Sequence, residues 1–214
     1  MSDTALPPIF DADFQHHFHD LLEWRRDVRH FKTDPLPHGM LEELLDVANL
    51  APSVGLSQPW RFVIVDSPER RTAITSNFEQ ENAAALGDYE GEKAKTYASL
   101  KLSGLHDAPV QLAVFCDPDP DQGAGLGRRT MPETLAYSCT MAIHTLWLYA
   151  RTKGLGLGWV SILTPDFINQ ALDVPENWQF IGYFCLGYPQ QNDNVPELQR
   201  RGWENRHAPE ILRR

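Results

Sequence analysis

The stretch Arg25-Arg26-Asp27-Val28-Arg29-His30-Phe31 sets three guanidiniums around one carboxylate. Planar guanidiniums donate paired hydrogen bonds to phosphate oxygens, so this spacing suits a bound phosphate. The acid among them has two readings: a counter-ion for its neighbours, or a carboxylate that a reaction needs. Two further segments could close around a flat ligand. Ala51-Pro52-Ser53-Val54-Gly55-Leu56-Ser57-Gln58-Pro59-Trp60 places Pro, Gly and Ser ahead of a strand, where backbone can approach a ring closely, with Gln58 and Trp60 fixing the turn. Gly154-Leu155-Gly156-Leu157-Gly158-Trp159-Val160-Ser161 leads glycines into a strand and exposes backbone N–H groups suited to an electron-rich ring edge. Taken alone, each of these two segments also reads as an ordinary loop.

The elements that must position these residues follow from hydrophobic periodicity. Phe14, Phe18, Leu21 and Leu22 predict an amphipathic helix ending just before the arginines, and Met40, Leu41, Leu44, Leu45 and Ala48 predict a second, with Pro37 at its start. Strands are expected at 61–65, 110–116 and 180–186. A polar, alanine-rich helical region covers about 69–106, interrupted by Gly87-Asp88-Tyr89-Glu90-Gly91. A long helix is expected from Thr130-Met131-Pro132-Glu133 through Ala150 to Lys153-Gly154; its apolar residues lie on several faces, so it should be buried more than once. The tail after Tyr188, with Trp203 isolated in it, should wrap another surface.

Bulk properties exclude several classes. The 214 residues, 42% of them hydrophobic, can bury one full core, so a single domain spanning 1–214 is expected. A formal net charge of -10 argues against a nucleic-acid surface, so any bound anion is small. The opening Met1-Ser2-Asp3-Thr4-Ala5-Leu6-Pro7-Pro8 lacks the pattern of a secretory leader, and no apolar run approaches the ~20 residues of a membrane span, so a cytoplasmic protein without membrane contact is expected. Cys116, Cys139 and Cys185 read as reduced core thiols with no close pairing. Asp117-Pro118-Asp119-Pro120-Asp121 lacks the glycine and glutamate of a calcium loop, and Gly123-Ala124-Gly125-Leu126-Gly127 reads as a flexible loop rather than a nucleotide motif. His16, His17 and His19 have no acid or cysteine at ligand spacing and are read as solvated or capping residues, so no metal site is expected. Ser161 stands outside any hydrolase elbow.

Together, the three segments resemble the FMN-dependent nitroreductase family from about Leu21 to the C-terminal arginines. The resemblance implies an α/β (α+β) fold, a central, mostly antiparallel sheet flanked by helices, in an intertwined homodimer whose FMN sites lie at the interface. By position, Arg25, Arg26 and Arg29 would hold the phosphate and ribityl end, with Arg206 as the C-terminal partner. Val28, Ser57, Leu102 and Gly158 would join the flavin contacts, and Ser53 and Val54 would meet the flavin bound mainly to the other subunit. Asp27 stands where the family pattern has serine, Val54 replaces a second serine, and Leu56 replaces an asparagine. With Ser99-Leu100-Lys101-Leu102-Ser103-Gly104-Leu105, Leu126-Gly127-Arg128 and Gly158-Trp159-Val160-Ser161, these departures are similar to a flavin-fragmenting branch.

That branch consumes reduced FMN as substrate, with O2 as co-substrate, and forms 5,6-dimethylbenzimidazole, the lower ligand of cobalamin, and erythrose 4-phosphate. The resemblance implies catalytic roles for Asp27, ionised among arginines and suited to act as a base, and for Ser161, as a hydrogen-bonding partner near the reactive ring. Residues 87–106 are expected to form a lid, and 188–214 a dimer-wrapping tail. NAD(P)H would enter indirectly, through a separate flavin reductase or slow reduction by the chain itself. Two alternatives use the same features: an NAD(P)H-dependent FMN nitro or quinone reductase, and a non-catalytic flavin-binding protein. Neither has an obvious use for the acid at position 27.

Overall fold

The computed structural model describes residues 6–100 and 103–214. In chain order the elements are α1 (Ala12–Trp24), α2 (Met40–Ala48), β1 (Trp60–Ile64), α3 (Pro68–Leu86), α4 (Gly91–Ser99), α5 (Gly104–Asp107), β2 (Val110–Cys116), α6 (Thr134–Thr152), β3 (Gly156–Val160), α7 (Pro165–Leu172), β4 (Gln179–Gly187) and α8 (Glu197–Arg200). The strands form one sheet in the order β1-β2-β4-β3, every pair antiparallel. Helices join consecutive strands, so the sheet is assembled from distant segments instead of hairpins.

Most element boundaries follow from local chemistry. Asp11 caps α1 by accepting the Phe14 N–H at 2.9 Å, and Ser67 caps α3 ahead of Pro68. α6 ends in a Schellman motif: Leu155 N–H donates to Ala150 O and Gly154 N–H to Arg151 O, both at 3.0 Å, with Gly154 at φ +73°. Other boundaries move. β1 starts at Trp60 and ends at Ile64, while Val65 still donates to Gln111 O at 2.9 Å. α6 starts at Thr134, because the preceding residues form a turn in which Thr134 N–H donates to Met131 O. Pro37 does not open α2; Met40 N–H donates back to Pro37 O, and Gly39, at φ +80°, admits the helix.

The core lies on both faces of the sheet. Phe31, Phe115, Tyr183 and Ile168 pack on one side, and Leu44, Ile143, Leu146 and Phe184 on the other. α6 buries Leu135, Cys139, Ala142, Ile143, Leu146 and Ala150, yet Tyr137 and Met141 on the same helix are exposed. α1 buries no residue, and Phe10, Phe14, Phe18 and Leu22 form an exposed apolar stripe along it. All three cysteines are buried and reduced, as expected of core thiols; Cys116 and Cys139, distant in sequence, meet where β2 packs on α6. No described helix is long and apolar enough to cross a membrane.

Two further expectations are corrected by packing. Gly123–Gly127 is wedged against the Ala51–Trp60 loop: a Cβ on Gly55 would lie 2.6 Å from Leu126 O, one on Gly123 2.6 Å from Gly55 O, and Gln122 Nε2 donates to Leu56 O at 2.6 Å. His16 and His19 do have acids at hand. Asp20 Oδ2 is 3.6 Å from His16 Nε2, and His19, Asp20 and Glu23 cluster on the solvent side of α1, because one helical turn separates residues the linear pattern keeps apart. Trp203, the lone aromatic of the polar tail, does find a surface, its ring packing against Tyr89 and Tyr97.

Candidate active site

The arginine segment leaves α1 in extended conformation and crosses the outer edge of β3. Asp27 bridges Leu157 in parallel, and Val28 N–H donates to Leu157 O at 3.0 Å. The glycines of β3 make this crossing possible. A Cβ on Gly158 would lie 2.0 Å from Val28 O, and one on Gly156 2.4 Å from Val28 Cγ2. Their spacing therefore has a packing reason inside the chain. Trp147 on α6 fixes the segment from below by donating Nε1–H to Arg26 O at 3.1 Å, and the Arg25 guanidinium lies 5.1 Å from the centre of its ring.

Asp27 is held at both oxygens. Its Oδ1 accepts the Trp159 N–H at 2.9 Å, and its Oδ2 lies 3.6 Å from Arg29 Nε. The expected direction of its titration is reversed. Desolvation by surrounding protein raises the Asp27 pKa above the ordinary carboxylate range, and Glu197 adds to the rise; the Trp159 N–H, Arg29 and Arg25 oppose it and are outweighed. The side chain is still 42% exposed, opening into a groove. Solvent in that groove tempers the rise, and a molecule filling it would strengthen the rise.

The arginines form a cationic cluster short of negative charge. Desolvation lowers the pKa of Arg25 and Arg26; Arg206 repels both, and Arg25 also repels Arg26. Arg26 donates to Leu22 O and Glu23 O at the end of α1, while its Nε is buried with no partner. A cavity of about 220 Å³ is lined by Arg25, Arg26, Asp27, Arg29, Glu197 and Arg206. Crowded guanidiniums with an unpaired donor fit a small dianion.

A second cavity, of about 110 Å³, shares Asp27 and Arg29 with the first and continues to Tyr97, Asn82, Trp159 and Ser161. Asp27 and Ser161, 134 positions apart, thus face one space. Ser161 is exposed just beyond the end of β3. Val28 packs beneath, on the glycines. Leu102 lies outside the described residues.

Ser53, Val54 and Ser57 lie elsewhere and line neither cavity. Ser53 Oγ accepts the Gln58 N–H at 3.1 Å, Ser138 Oγ on α6 accepts the Val54 N–H at 3.1 Å, and Ser57 is buried with its Oγ unpaired. Gln58 and Trp60 do fix this turn, through Asn49: both side chains donate to Asn49 Oδ1 at 3.0 Å.

Sequence reasoning missed Asn49, Glu197 and Tyr97. Asn49 follows an apolar helix directly, a position where side-chain capping is common. Glu197 carries an i,i+4 arginine, Arg201, which marks it as helical and charged without locating it. Tyr97 offered no local signal.

Comparison with known proteins places this geometry in context. The nitroreductase family model matches residues 22–188. A curated protein of Rhodospirillum rubrum, 5,6-dimethylbenzimidazole synthase, is 53% identical over 207 residues, covering 97% of this chain and 98% of its own. A protein of the same name from Rhodobacter capsulatus is 48% identical over 195 residues, covering 91% and 94%. Among solved structures, an iodotyrosine deiodinase bound to FMN and 3-iodo-L-tyrosine superposes with a TM-score of 0.70 at 23% identity, covering 92% of this chain and 97% of that one.

Proposed function

This chain belongs to the nitroreductase family, and from that premise and the surroundings of Asp27 we infer that it fragments reduced FMN with O2 into 5,6-dimethylbenzimidazole, erythrose 4-phosphate and an oxidised fragment carrying the pyrimidine portion of the ring. The observation that carries the reading is one carboxylate shared by two cavities: a cationic one suited to a phosphate, and one that ends at Ser161. An enzyme that recycles its flavin has no evident need for an acid there. The flavin supplies the electrons, O2 the oxidant, and the dimethylbenzene ring with the first ribityl carbon becomes the product.

The chain's own residues supply binding, orientation and proton transfer. Arg25, Arg26, Arg29 and Arg206 hold the phosphate and ribityl end. The Trp159 N–H pins Asp27 Oδ1 and fixes the direction of the carboxylate, so Oδ2 is the atom that takes and returns protons near the ribityl chain. A raised pKa suits a group that must do both within one reaction. Ser161 donates or accepts a hydrogen bond at the ring. Val28 and Gly158 complete the flavin contacts on this side, Ser57 belongs with Ser53 and Val54 on the loop that meets the second flavin, and Leu102, outside the described residues, is assigned to the flavin by the family resemblance alone.

Ser53 and Val54 serve the flavin of a second subunit, which accounts for their distance from the Asp27 cavities. The exposed stripe of α1 and the exposed Tyr137 and Met141 of α6 are the surfaces a homodimer would cover. Within this single domain, residues 87–106 act as a lid that excludes bulk water, anchored at its end by the core-packed Gly104 and Leu105; of the tail 188–214, the strap from Glu197 to Arg206 lies on the chain's own site and the remainder wraps the partner. Reduced FMN reaches the site either from a separate NAD(P)H-dependent flavin reductase or by slow reduction in the chain itself.

The test is direct. Reduced FMN and air are supplied to the purified protein, and the products are analysed by mass; 5,6-dimethylbenzimidazole and erythrose 4-phosphate in equal amounts are expected. Intact FMN together with steady NADPH oxidation on a nitroaromatic acceptor would replace this reading with that of a reductase.

A further inference from the structure

We propose that Trp203 is a positioning residue, tying anion capture at the arginine cluster to the seating of Tyr97 on the wall of the Asp27 and Ser161 cavity. The proposal rests on the flavin reading above, with the FMN phosphate as the captured anion. The strap from Glu197 to Arg206 touches both ends of the site. At one end Glu197 and Arg206 line the arginine cavity. Between them, Trp203 N–H donates to Leu198 O at 2.8 Å, and its ring meets the helical excursion.

The contacts at that meeting are specific. The Trp203 ring stands edge-on to Tyr89, with centroids 5.4 Å apart and an interplanar angle of 79°, and lies 6.2 Å from Tyr97. Tyr89 and Tyr97 stack on each other at 4.9 Å, and Lys93 Nζ sits 4.6 Å from the centre of the Trp203 ring. Tyr97 in turn donates its hydroxyl to Asn82 Oδ1 at 2.9 Å, and both residues line the cavity that holds Asp27 and Ser161.

α4, which carries Lys93 and Tyr97, buries no residue completely. An element with so little buried surface opens easily, so a few aromatic contacts decide where it rests. An anion drawn between Arg25, Arg26 and Arg206 orders the strap only three residues beyond Trp203, and the ordered strap holds the indole against the tyrosines. By linkage, seating Tyr97 must tighten anion binding in return.

Hydrogen exchange over Gly91–Ser99 reads the coupling. In the wild type, oxidised FMN should slow exchange of these amides about tenfold more than riboflavin, which lacks the phosphate. At saturating FMN, Trp203→Ala should lose that protection and bind FMN up to about tenfold more weakly, as linkage requires, with riboflavin affinity unaltered, and Trp203→Phe should keep most of both. In turnover, Trp203→Ala should divert reduced FMN to oxidised FMN, its two electrons and two protons passing to O2 as hydrogen peroxide, and so lower the benzimidazole formed per flavin consumed. Undiminished protection by FMN in Trp203→Ala, or equal protection by riboflavin and FMN in the wild type, overturns the coupling alone. Failure of FMN to bind the wild type overturns the flavin reading and the coupling with it.

Discussion

Gly158→Ala should disable the site without touching any charged group in it. The new Cβ would sit 2.0 Å from Val28 O and 3.2 Å from Val28 C, and both are backbone atoms that no rotamer change can move aside. To reach an ordinary C···O contact of about 3.3 Å the arginine segment must retreat by roughly 1.3 Å. That retreat carries the Val28 N–H···Leu157 O bond, now 3.0 Å, beyond hydrogen-bonding range and pulls Asp27 from the Trp159 N–H, now 2.9 Å. A neutral bond contributes about 1 kcal/mol and one to a charged acceptor about 2 kcal/mol. Removing a strand glycine returns roughly 0.5 kcal/mol. The expected loss is about 2.5 kcal/mol, read as a lower urea midpoint at unaltered m-value. FMN affinity, followed by flavin fluorescence, should fall at least about tenfold, because Asp27 and Arg29 move together.

Two companions calibrate that result. Gly156→Ala meets first the rotatable Cγ2 of Val28, at 2.4 Å, and should cost only about 1 kcal/mol. Gly154→Ala meets nothing within 4 Å but must hold φ +73°, so it should cost about 1 kcal/mol and leave FMN affinity unaltered. If Gly158→Ala loses less than about 1 kcal/mol and binds FMN as the wild type does, the crossing of β3 by the arginine segment does not set the site.

Other substitutions separate the roles. Asp27→Asn keeps an oxygen for the Trp159 N–H and should retain FMN while slowing benzimidazole formation by about 10²-fold or more in single-turnover assays. Its stability should also shift with pH: the folded pKa of Asp27 is raised, so the wild type holds this stabilisation fully below about pH 3.9 and loses it as pH rises through the folded value, and urea melts should show the variant gaining on the wild type across that window. Arg206→Ala should weaken FMN about tenfold in equilibrium titrations and leave riboflavin affinity nearly constant, since only FMN brings a phosphate to that cavity. Asn49→Ala strips the acceptor shared by Gln58 and the buried Trp60 indole, and thermal or urea melts should show a loss of about 2 kcal/mol.

Much of the architecture was legible because periodicity reports burial. Val110–Cys116 reads as an apolar run broken only by Gln111 and is a central strand, paired on both sides by β1 and β4. The chemistry-bearing segments were legible as residue types, since arginine clusters and glycine-led strands limit what can be built from them. Their meeting was not. Asp27 finds its principal partner, the Trp159 N–H, 132 positions away, and no local pattern carries that pairing. The sign of its pKa shift was hidden for the same reason: sequence displays the neighbouring arginines but not the protein mass packed around the carboxylate. Trp203 offered a partial clue, because a large aromatic in a polar tail needs a surface to lie on.

The crossing of β3 by the arginine segment also bears on solubility. β3 is the last strand of the sheet, and its outer side would otherwise offer unpaired backbone groups to any passing chain. Asp27 and Val28 guard that edge, through one bridge to Leu157. The segment proposed to hold the reacting molecule is therefore also the one that keeps the sheet edge from recruiting a stranger. Variants that loosen this segment should be lost to aggregation during expression as often as they are recovered as inactive protein, and a ligand that grips the arginines should act as a folding aid.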